Sequence, residues 1–438
     1  MAVETHSAQR AGARAEHEVG DVRRTTCCIV GAGPAGAVLA LLLARQRIPV
    51  VLLEAHGDFD RDFRGDSLHP AILEILDTIG LADRLLELPH RKVHEVTIPT
   101  DPPFGMSFSY LPTRFPFLAM MPQARFLEFL TAEAARYPSF TLILRAPVRE
   151  LIEEGGIVRG VRYRAPDGWH EVRALLTVGA DGRFSRLRQL AGIQPITTSQ
   201  PIDVLWFRLP RHAGDPEGIL EQVAGGQFLL LVDRGDQWQI ACMIPKDSYR
   251  QLRDAGLEAL RRSVAEVVPW LADRVDTLTD WKQVPLLSVA SDRLPRWYKP
   301  GLLLIGDAAH VMSPFGGNGI NYAIQDAVAA ANLLSGPLQA GRLSTRDLAA
   351  VQRRRDWPTR ITQAIVTLTQ QQLAGRILAA RGPLRPPPAL RFVLRIPLVR
   401  TLALRWVAFG LWPVRLSDRV ARPAAAQMPE SQRVGSPR

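Results

Sequence analysis

Three glycines and a carboxylate near the N-terminus have the spacing of a dinucleotide-binding site. Gly31, Gly33 and Gly36 lie between two short apolar runs, and Glu54 directly follows the second run. In such a pattern one glycine makes a tight turn, one lets a pyrophosphate approach the backbone, and one lets a helix pack close to a strand. The N-terminus of that helix then offers free N–H groups and a partial positive charge to the phosphates.

The elements that must position these residues are a strand, a helix and a second strand. Cys27 to Val30 and Val50 to Leu53 have the composition of short buried strands, and Ala37 to Leu43 is the apolar run of the helix. This order of elements is far more specific than a glycine motif alone. A carboxylate at the ribose position favours FAD or NAD over NADP. The motif residues are Gly31, Gly33, Pro34, Ala35, Gly36 and Glu54.

Composition narrows the class of protein. The chain has 438 residues and is 47% hydrophobic, which is enough for a large core and predicts two closely joined lobes. Its three cysteines, two of them adjacent, provide neither a disulfide framework nor the spacing of a zinc site. We therefore expect a reduced, cytoplasmic protein. Residues 1–24 are polar and lack the apolar segment of a signal peptide, so they predict a disordered arm.

The net charge of +11 is concentrated in one segment. Nine arginines and no acidic residue lie between Trp357 and Ser417, so the preceding part of the chain is nearly neutral. Nucleic-acid binding requires a basic footprint over a folded surface, and we expect no nucleic-acid partner. Ala389 to Leu416 alternates apolar runs with arginines. Two interpretations stay open: interfacial helices that make peripheral contact with an anionic membrane, or a tail that packs over the body of the protein.

The middle of the chain predicts a lobe built on a β-sheet. Strand-like runs fill Ile202 to Pro245, and a helix over Tyr249 to Val268 and a strand over Trp281 to Val289 complete the lobe. Gly301 to Ile305 then returns to a buried strand, so the nucleotide-binding lobe is discontinuous. The predicted divisions are an arm at 1–24, a cofactor domain at 25–92, 122–195 and 296–372, a substrate domain at 93–121 and 196–295, and a basic, apolar tail at 373–438.

Four local patterns, taken together, resemble the class A flavoprotein monooxygenases, the 4-hydroxybenzoate hydroxylase-like family. They occur in the family's order over roughly residues 25–335, and the tail after about residue 370 is outside the resemblance. The patterns are Gly31-Ala-Gly-Pro-Ala-Gly36 with Glu54; Arg64-Gly-Asp-Ser-Leu-His-Pro70; Gly179-Ala-Asp-Gly-Arg183 with Ser185 and Arg188; and Gly306-Asp-Ala-Ala-His310 with Pro314 and Gly316-Gly-Asn-Gly319.

The resemblance implies an α/β fold in which a discontinuous, Rossmann-like FAD-binding domain carries an inserted β-sheet substrate domain and a C-terminal helical tail. Asp307 would bind the ribitol hydroxyls of the flavin, and a helix starting near Gly319 would point its positive end at the flavin ring. Asp181 would bridge the flavin and nicotinamide sides, or simply stabilise a turn. The further cofactor residues implied are Arg64, Gln123, Val148, Asp181, Asp307, Pro314, Gly316, Gly317, Asn318, Gly319 and Ile320.

The implied reaction needs NAD(P)H as a transient co-substrate. The sequence has one strand–glycine–helix unit, which leaves no second dinucleotide domain for NAD(P)H. Arg183 and Arg188 would attract its phosphates or form structural ion pairs. The reduced FAD would react with O2 at C4a, and the hydroperoxide would hydroxylate or epoxidise the substrate. No protein nucleophile or metal is required. The weak candidates for proton transfer are His69, His310, Tyr249 and Tyr322.

The substrate is expected to be an apolar small molecule, aromatic, polycyclic or prenylated, bound by the inserted lobe. The candidate wall residues, for which their strand alternation favours a place in the core over a place in the pocket, are Trp206, Phe207, Phe228, Leu230 and Met243. A flavin-dependent reductase of a prenyl-type substrate stays open, as does a non-redox cyclase or scaffold in which FAD is structural. A halogenase is disfavoured, because its motif has tryptophans where Ile240 and Cys242 stand here. The oligomeric state and the choice of NADH or NADPH stay open.

Overall fold

The chain combines parallel and antiparallel sheets with helices in a mixed α/β arrangement. The computed structural model describes residues 19–60, 67–98, 104–314, 317–379 and 396–422. The strands are β1 (Val19–Val30), β2 (Val50–Leu53), β3 (Ser67–Leu68), β4 (Arg91–Val93), β5 (Glu95–Ile98), β6 (Phe104–Ser107), β7 (Leu118–Met120), β8 (Phe140–Ile143), β9 (Val148–Glu154), β10 (Ile157–Ala165), β11 (Gly168–Gly179), β12 (Ile196–Ser199), β13 (Ile202–Pro210), β14 (Ile219–Ala224), β15 (Gln227–Asp233), β16 (Gln237–Pro245), β17 (Leu286–Leu287), β18 (Ala290–Arg293), β19 (Tyr298–Lys299), β20 (Leu302–Leu304) and β21 (His310–Val311). The helices are α1 (Pro34–Arg45), α2 (Pro70–Thr78), α3 (Ala82–Leu86), α4 (Gln123–Ala135), α5 (Arg186–Leu190), α6 (Tyr249–Asp254), α7 (Leu257–Val267), α8 (Gly319–Gln339), α9 (Thr345–Ala379), α10 (Pro397–Phe409) and α11 (Asp418–Ala421).

The main sheet joins strands from three distant parts of the chain. Its order is β19-β20-β11-β1-β2-β8, with β10 and β9 continuing from β11. The pairs β1–β2, β1–β11, β2–β8 and β11–β20 are parallel. The carboxyl ends of these strands therefore meet at one edge of the sheet, where ligands bind in open α/β folds. This arrangement has the discontinuity expected of the nucleotide-binding lobe, and the exact domain boundaries stay a prediction.

Helix α1 is almost completely enclosed between the main sheet and α8. Its leucines have at most 1% of their surface exposed, and its alanines let neighbouring elements approach closely. Burying one leucine side chain contributes about 1.5–3 kcal/mol to folding. The apolar run that suggested a helix from the sequence therefore anchors the first glycine turn to the largest core of the protein.

A second, antiparallel sheet forms the inserted lobe, with the order β14-β15-β16-β13-β17. One face packs against α7 in a dense apolar core, and the other face lies toward the rest of the chain. Two local predictions differ from the structure. The helix expected over Tyr249 to Val268 is interrupted at Gly256, whose φ of 88° ends α6 and starts α7. The strand expected over Trp281 to Val289 is a 3₁₀ turn followed by the two-residue β17.

The C-terminal segment, as far as it is described, packs on both lobes. Leu404 and Ala408 of α10 join an apolar cluster with residues from β4, β7 and β15. Further along, Val414 and Val420 enter the main core. Asn332 of α8 donates a hydrogen bond to the carbonyl of Arg415 at 2.8 Å. This is the packing expected if the tail covers the body, and membrane contact stays a prediction. Within the described ranges, no helix is long and apolar enough to cross a membrane.

Two leucines on α10 test whether this packing contributes to stability. Leu404 is 3% exposed and Leu402 is 57% exposed. We expect Leu404→Ala to lower the free energy of unfolding by about 2–5 kcal/mol, because it leaves a cavity between the lobes and the tail. The matched control Leu402→Ala should change it by less than about 0.5 kcal/mol. Urea unfolding of both variants measures the difference. Equal effects of the two substitutions would show that α10 does not pack on the body in solution.

Candidate functional site

The first glycine turn follows β1 and admits no side chain at two of its positions. Gly31 has φ +99°, and a Cβ there would lie 2.5 Å from the carbonyl oxygen of Ala180. A Cβ on Gly36 would lie 1.9 Å from the carbonyl oxygen of Gly31. Both contacts are with backbone, which cannot move aside as a flexible side chain can. The turn thus brings the strand, the helix and the segment after β11 into direct contact.

Gly33 differs from these two glycines, because the space beside it is open. Its φ is −72°, and apart from its chain neighbours no atom of the described residues lies within 4 Å of the position that a Cβ would take. It precedes Pro34, the first residue of α1, and no side chain caps this end of the helix. The first N–H groups of α1 therefore face an open, positively polarised space. This geometry fits a pyrophosphate lying against Gly33 and Ala35.

Glu54 stands beside the turn, at the end of β2. Its Oε2 accepts a hydrogen bond from the backbone N–H of Ala32 at 3.0 Å. Its Oε1 accepts one from the backbone N–H of His56 at 3.1 Å and lies 2.7 Å from the Nδ1 of His56. The carboxylate is thus held in one orientation at the mouth of the turn. A carboxylate has about four acceptor positions in all, so the group can also accept a hydrogen bond from a ribose diol.

Asp181 follows β11 and lies directly against the first turn, since a Cβ on Gly31 would meet its Cα at 2.6 Å. Its carboxylate accepts hydrogen bonds from Ser185 Oγ at 2.6 Å and from the backbone N–H of Leu187 at 3.0 Å. Burial raises the pKa of Asp181, and these hydrogen bonds only partly oppose that shift. The side chain stabilises the turn into α5, which is one of the two roles considered from the sequence.

The two arginines proposed for NAD(P)H have different surroundings. Arg188 is 8% exposed; its Nη1 lies 3.4 Å from Asp292 Oδ2, and its Nη2 donates to the carbonyl of Arg183 at 2.8 Å. Arg183 donates to the carbonyl of Ser288 at 3.1 Å. The geometry of Arg188 is that of a structural ion pair. A role for Arg183 toward NAD(P)H stays a prediction.

Asp307 lies in a 3₁₀ turn that touches the first glycine motif. The turn spans Gly306–Ala308 and follows β20. A Cβ on Gly306 would lie 3.4 Å from the Cβ of Ala35, and the N–H of Gly306 donates to Asp326 Oδ2 at 3.0 Å. Residues far apart in the sequence thus meet at the carboxyl edge of the main sheet. The arrangement permits one extended ligand to contact both the first turn and Asp307.

The loop before α8 has buried polar groups that find no partner among the described residues. Gly317 has φ +65°, and its N–H donates to the carbonyl of Pro314 at 3.0 Å. Asn318 is 3% exposed, yet within the described part of the chain its Oδ1 has no hydrogen-bond partner, and neither has Nδ2 of the fully buried Asn321. The Asn318 side chain makes no capping hydrogen bond at the start of α8, where Gly319 and Ile320 lie. Unsatisfied buried polar atoms at a helix N-terminus fit the polar edge of a flavin ring.

Four further proposed cofactor residues remain, two within and two outside the described residues. Gln123 begins α4, which packs against α1, and Val148 begins β9 with 6% of its surface exposed. The roles of Gln123 and Val148 toward a cofactor stay predictions. Arg64 and Gly316 lie outside the described residues.

Three of the candidates for proton transfer are buried in structural contacts. His310 Nε2 lies 2.6 Å from Asp326 Oδ2. Burial alone would raise the pKa of Asp326, but the charges of His310 and Arg355 outweigh it and hold the pKa below its usual range. The hydroxyl of Tyr322 contacts Thr362 and accepts the N–H of Leu411 at 3.3 Å. The third of these candidates is His69.

His69 joins the loop before α8 to the C-terminal segment. It is 1% exposed, and its Nδ1 lies 2.8 Å from the carbonyl oxygen of Val407 in α10. Burial lowers the pKa of His69, and backbone hydrogen bonds with Val407 and Gly317 only partly oppose that shift. The ring links three segments of the chain.

Two residues proposed for the site from the sequence are in the wrong place. Phe207 is fully buried in the core between the second sheet and α7, and Tyr249 packs against the same core. Successive residues of a strand point to opposite faces, so Trp206 and Phe207 cannot line one wall. Tyr249 contacts Trp281 edge to face at 6.0 Å. Phe207 was misplaced because the alternation of a strand does not reveal which face is the outer one, and Tyr249 was misplaced because its helix packs on the closed face of the same sheet.

The other wall candidates share the face of the second sheet that lies away from α7. Trp206, Phe228, Leu230 and Met243 are half-buried there, whereas Leu205, Phe207, Leu229 and Leu231 on the opposite face are fully buried. This difference leaves accessible apolar surface on the first face. The strand pairing adds Glu221, which the sequence reasoning missed, to the same face opposite Leu230. The sequence does indicate this position, because Glu221 alternates with Ile219 and Val223 and residues two apart in a strand lie on the same face.

Comparisons with known proteins agree with this geometry. Residues 24–364 match the family model described as FAD binding domain. The chain is 37% identical over 400 residues to 6-methylpretetramide 4-monooxygenase from Streptomyces rimosus, covering 89% of this chain and 93% of the relative. It is 27% identical over 328 residues to dialkyldecalin synthase from Streptomyces rugosporus, covering 69% and 63%. The solved structure of an anhydrotetracycline hydroxylase from Streptomyces rimosus shares the fold, with a TM-score of 0.70, 24% identity and coverage of 88% of this chain and 76% of that chain.

The two kinds of glycine in the first turn provide a matched test of the cofactor site. Gly36→Ala should destabilise the FAD-free protein by about 1–3 kcal/mol or more, since the new methyl group meets backbone. Gly33→Ala should leave that stability nearly unchanged and weaken FAD binding by about tenfold or more, because only a bound pyrophosphate would meet the methyl group. Thermal unfolding and flavin fluorescence titration measure the two effects. Unaltered FAD affinity in Gly33→Ala would place the pyrophosphate elsewhere.

Proposed function

The chain belongs to the FAD binding domain family and is an FAD-dependent monooxygenase, and from this premise we propose that it uses NAD(P)H and O2 to hydroxylate or epoxidise a polycyclic aromatic molecule. The observation that carries the proposal is the half-buried apolar face of the second sheet. It offers Trp206, Phe228, Leu230 and Met243 to a flat, apolar ligand. A relative of 37% identity is named for action on 6-methylpretetramide, and a compound of that kind suits such a wall.

The residues of this chain would bind the cofactor and orient it. Gly33 and the start of α1 would hold the pyrophosphate, Glu54 the ribose, and Asp307 the ribitol. The start of α8 would stabilise negative charge on the ring. When bound, FAD supplies hydride acceptance from NAD(P)H and activation of O2.

The substrate side of the site would be shielded from water by apolar packing. Leu230 packs in one cluster with Val407 and Phe409 of the C-terminal segment and with Met106 of β6. It also packs in a second cluster with Trp206 and Val289. A ligand against this face would therefore lie between the sheet and elements that exclude solvent. Exclusion of water protects a reactive oxygen donor from unproductive decay.

A second candidate is a non-redox cyclase in which FAD is structural. The similarity of this chain to dialkyldecalin synthase is the observation that supports this candidate. It would use the same apolar wall to hold a flexible substrate in one conformation, and it would require no oxidation of NAD(P)H. The prenyl reductase considered from the sequence differs again, because it would consume reductant without consuming O2.

One assay separates these functions. We expect the FAD-loaded protein to oxidise NAD(P)H about tenfold faster or more when 6-methylpretetramide or a similar polycyclic phenol is added, because reduction in this class is gated by substrate. Mass spectrometry should find one oxygen atom derived from O2 in the product. A reductase would oxidise NAD(P)H equally well without O2. A cyclase would convert its substrate without NAD(P)H, and either result would contradict the proposal.

A further inference from the structure

Glu221 lies in a row of residues that crosses the apolar face of the second sheet. In the strand pairing, Glu221 is opposite Leu230, Leu230 is opposite Ala241, and Ala241 is opposite Trp206. Residues directly opposite each other on antiparallel strands have side chains in contact range. The row therefore places one carboxyl group on an otherwise apolar surface. Its length across three strand intervals is about 14 Å, which suits a flat molecule of several fused rings.

The two ends of this row have different neighbours. Trp206 lies on β13, next to β17, and Ser288 directly after β17 accepts the hydrogen bond from Arg183. Glu221 lies on β14, the edge strand, which contacts β5. A ligand that follows the row would thus extend from the side of the Asp181 turn to Glu221.

The Glu221 carboxyl has no partner among the described residues. Burial raises its pKa to about 7, and no hydrogen bond or ion pair from the described part of the chain counteracts this. Other carboxylates of the same lobe are satisfied: Asp203 binds Lys246 at 2.7 Å, Asp215 binds Arg274 at 2.6 Å, and Asp233 binds Arg91 at 2.7 Å. Water can satisfy a half-buried carboxyl that has no protein partner, and a ligand that displaces this water must supply a hydrogen bond in its place.

We infer that Glu221 is the residue that recognises a ring hydroxyl of the substrate, at the end of the molecule remote from the Asp181 turn. The carboxyl would accept a hydrogen bond from the hydroxyl, while Leu230 and Trp206 contact the ring faces. This inference rests on the proposed function and names the substrate class as polycyclic phenols. A site built to bind a hydroxyl discriminates strongly against an analogue that lacks it, because its polar group is then left unpaired.

The test compares two small probes that differ only in the hydroxyl. β-Naphthol and its methyl ether are titrated into the FAD-loaded protein by isothermal titration calorimetry. We expect wild type to bind the phenol about tenfold to a hundredfold more tightly than the ether. Glu221→Leu should bind both probes with similar affinity, and Glu221→Gln should keep part of the preference because an amide oxygen still accepts a hydrogen bond.

A matched control is the nearby Glu217, whose side chain is 81% exposed. Glu217→Gln should keep the full preference of wild type for the phenol. Because Glu221→Gln keeps the shape of the side chain, it carries the test if Glu221→Leu fails to fold. With a polycyclic phenol as substrate, Glu221→Gln should raise KM by about tenfold and change kcat by less than about threefold, since the interaction is uniform in the ground and transition states.

Two results would overturn the inference. One is equal affinity of wild type for the two probes, including a failure to bind either. The other is a preference for the phenol in Glu221→Gln and Glu221→Leu that equals that of wild type. The binding test needs neither NAD(P)H nor O2, so its outcome is independent of turnover. If Glu221 discriminates between the two probes but the protein oxidises no NAD(P)H, the proposed function is contradicted and this inference stands.

Discussion

The structure depends on backbone segments that approach one another too closely for side chains. At Gly31 and Gly36 even a methyl group would collide with main-chain atoms. These contacts bring β1, α1 and the segment after β11 together, and Gly306 brings the Asp307 turn against Ala35. Because the strands that lead into these turns are parallel and adjacent, all the turns open on one edge of the sheet. The candidate cofactor site is a consequence of that geometry.

A buried set of charges holds the Asp307 turn against α8. Asp326 of α8 accepts hydrogen bonds from Gly306 N–H at 3.0 Å and from Arg355 Nε at 2.8 Å, and it pairs with His310. Gln325, the preceding residue, donates to the carbonyl of Phe409 at 2.9 Å. Asp326 and Gln325, two neighbouring residues of α8, thus connect this helix to the Asp307 turn, to α9 and to the C-terminal segment. Breaking one partner of such a buried set is more costly than its net contribution to stability.

The sequence predicted the local motifs well and the faces of the second sheet poorly. The family and the α/β fold class were confirmed, because the glycine pattern, its flanking strands and the later motifs each depend on residues near in sequence. Phe207 was misplaced and Glu221 was missed for the same reason. Period-two alternation divides a strand into two faces, but only the packing of α7 determines which face is closed. A glutamate in a strand is ordinarily solvent-exposed, so its place on an apolar wall emerged only from the strand register.

A crystal structure of the protein reconstituted with FAD tests most directly whether the turns at the carboxyl edge of the main sheet bind a single FAD. We expect the pyrophosphate against the backbone of Gly33, the ribose at Glu54, and the ring beside Gly317 and the start of α8. A protein that stays colourless in excess FAD would contradict it, as would FAD bound away from Gly33 and Asp307.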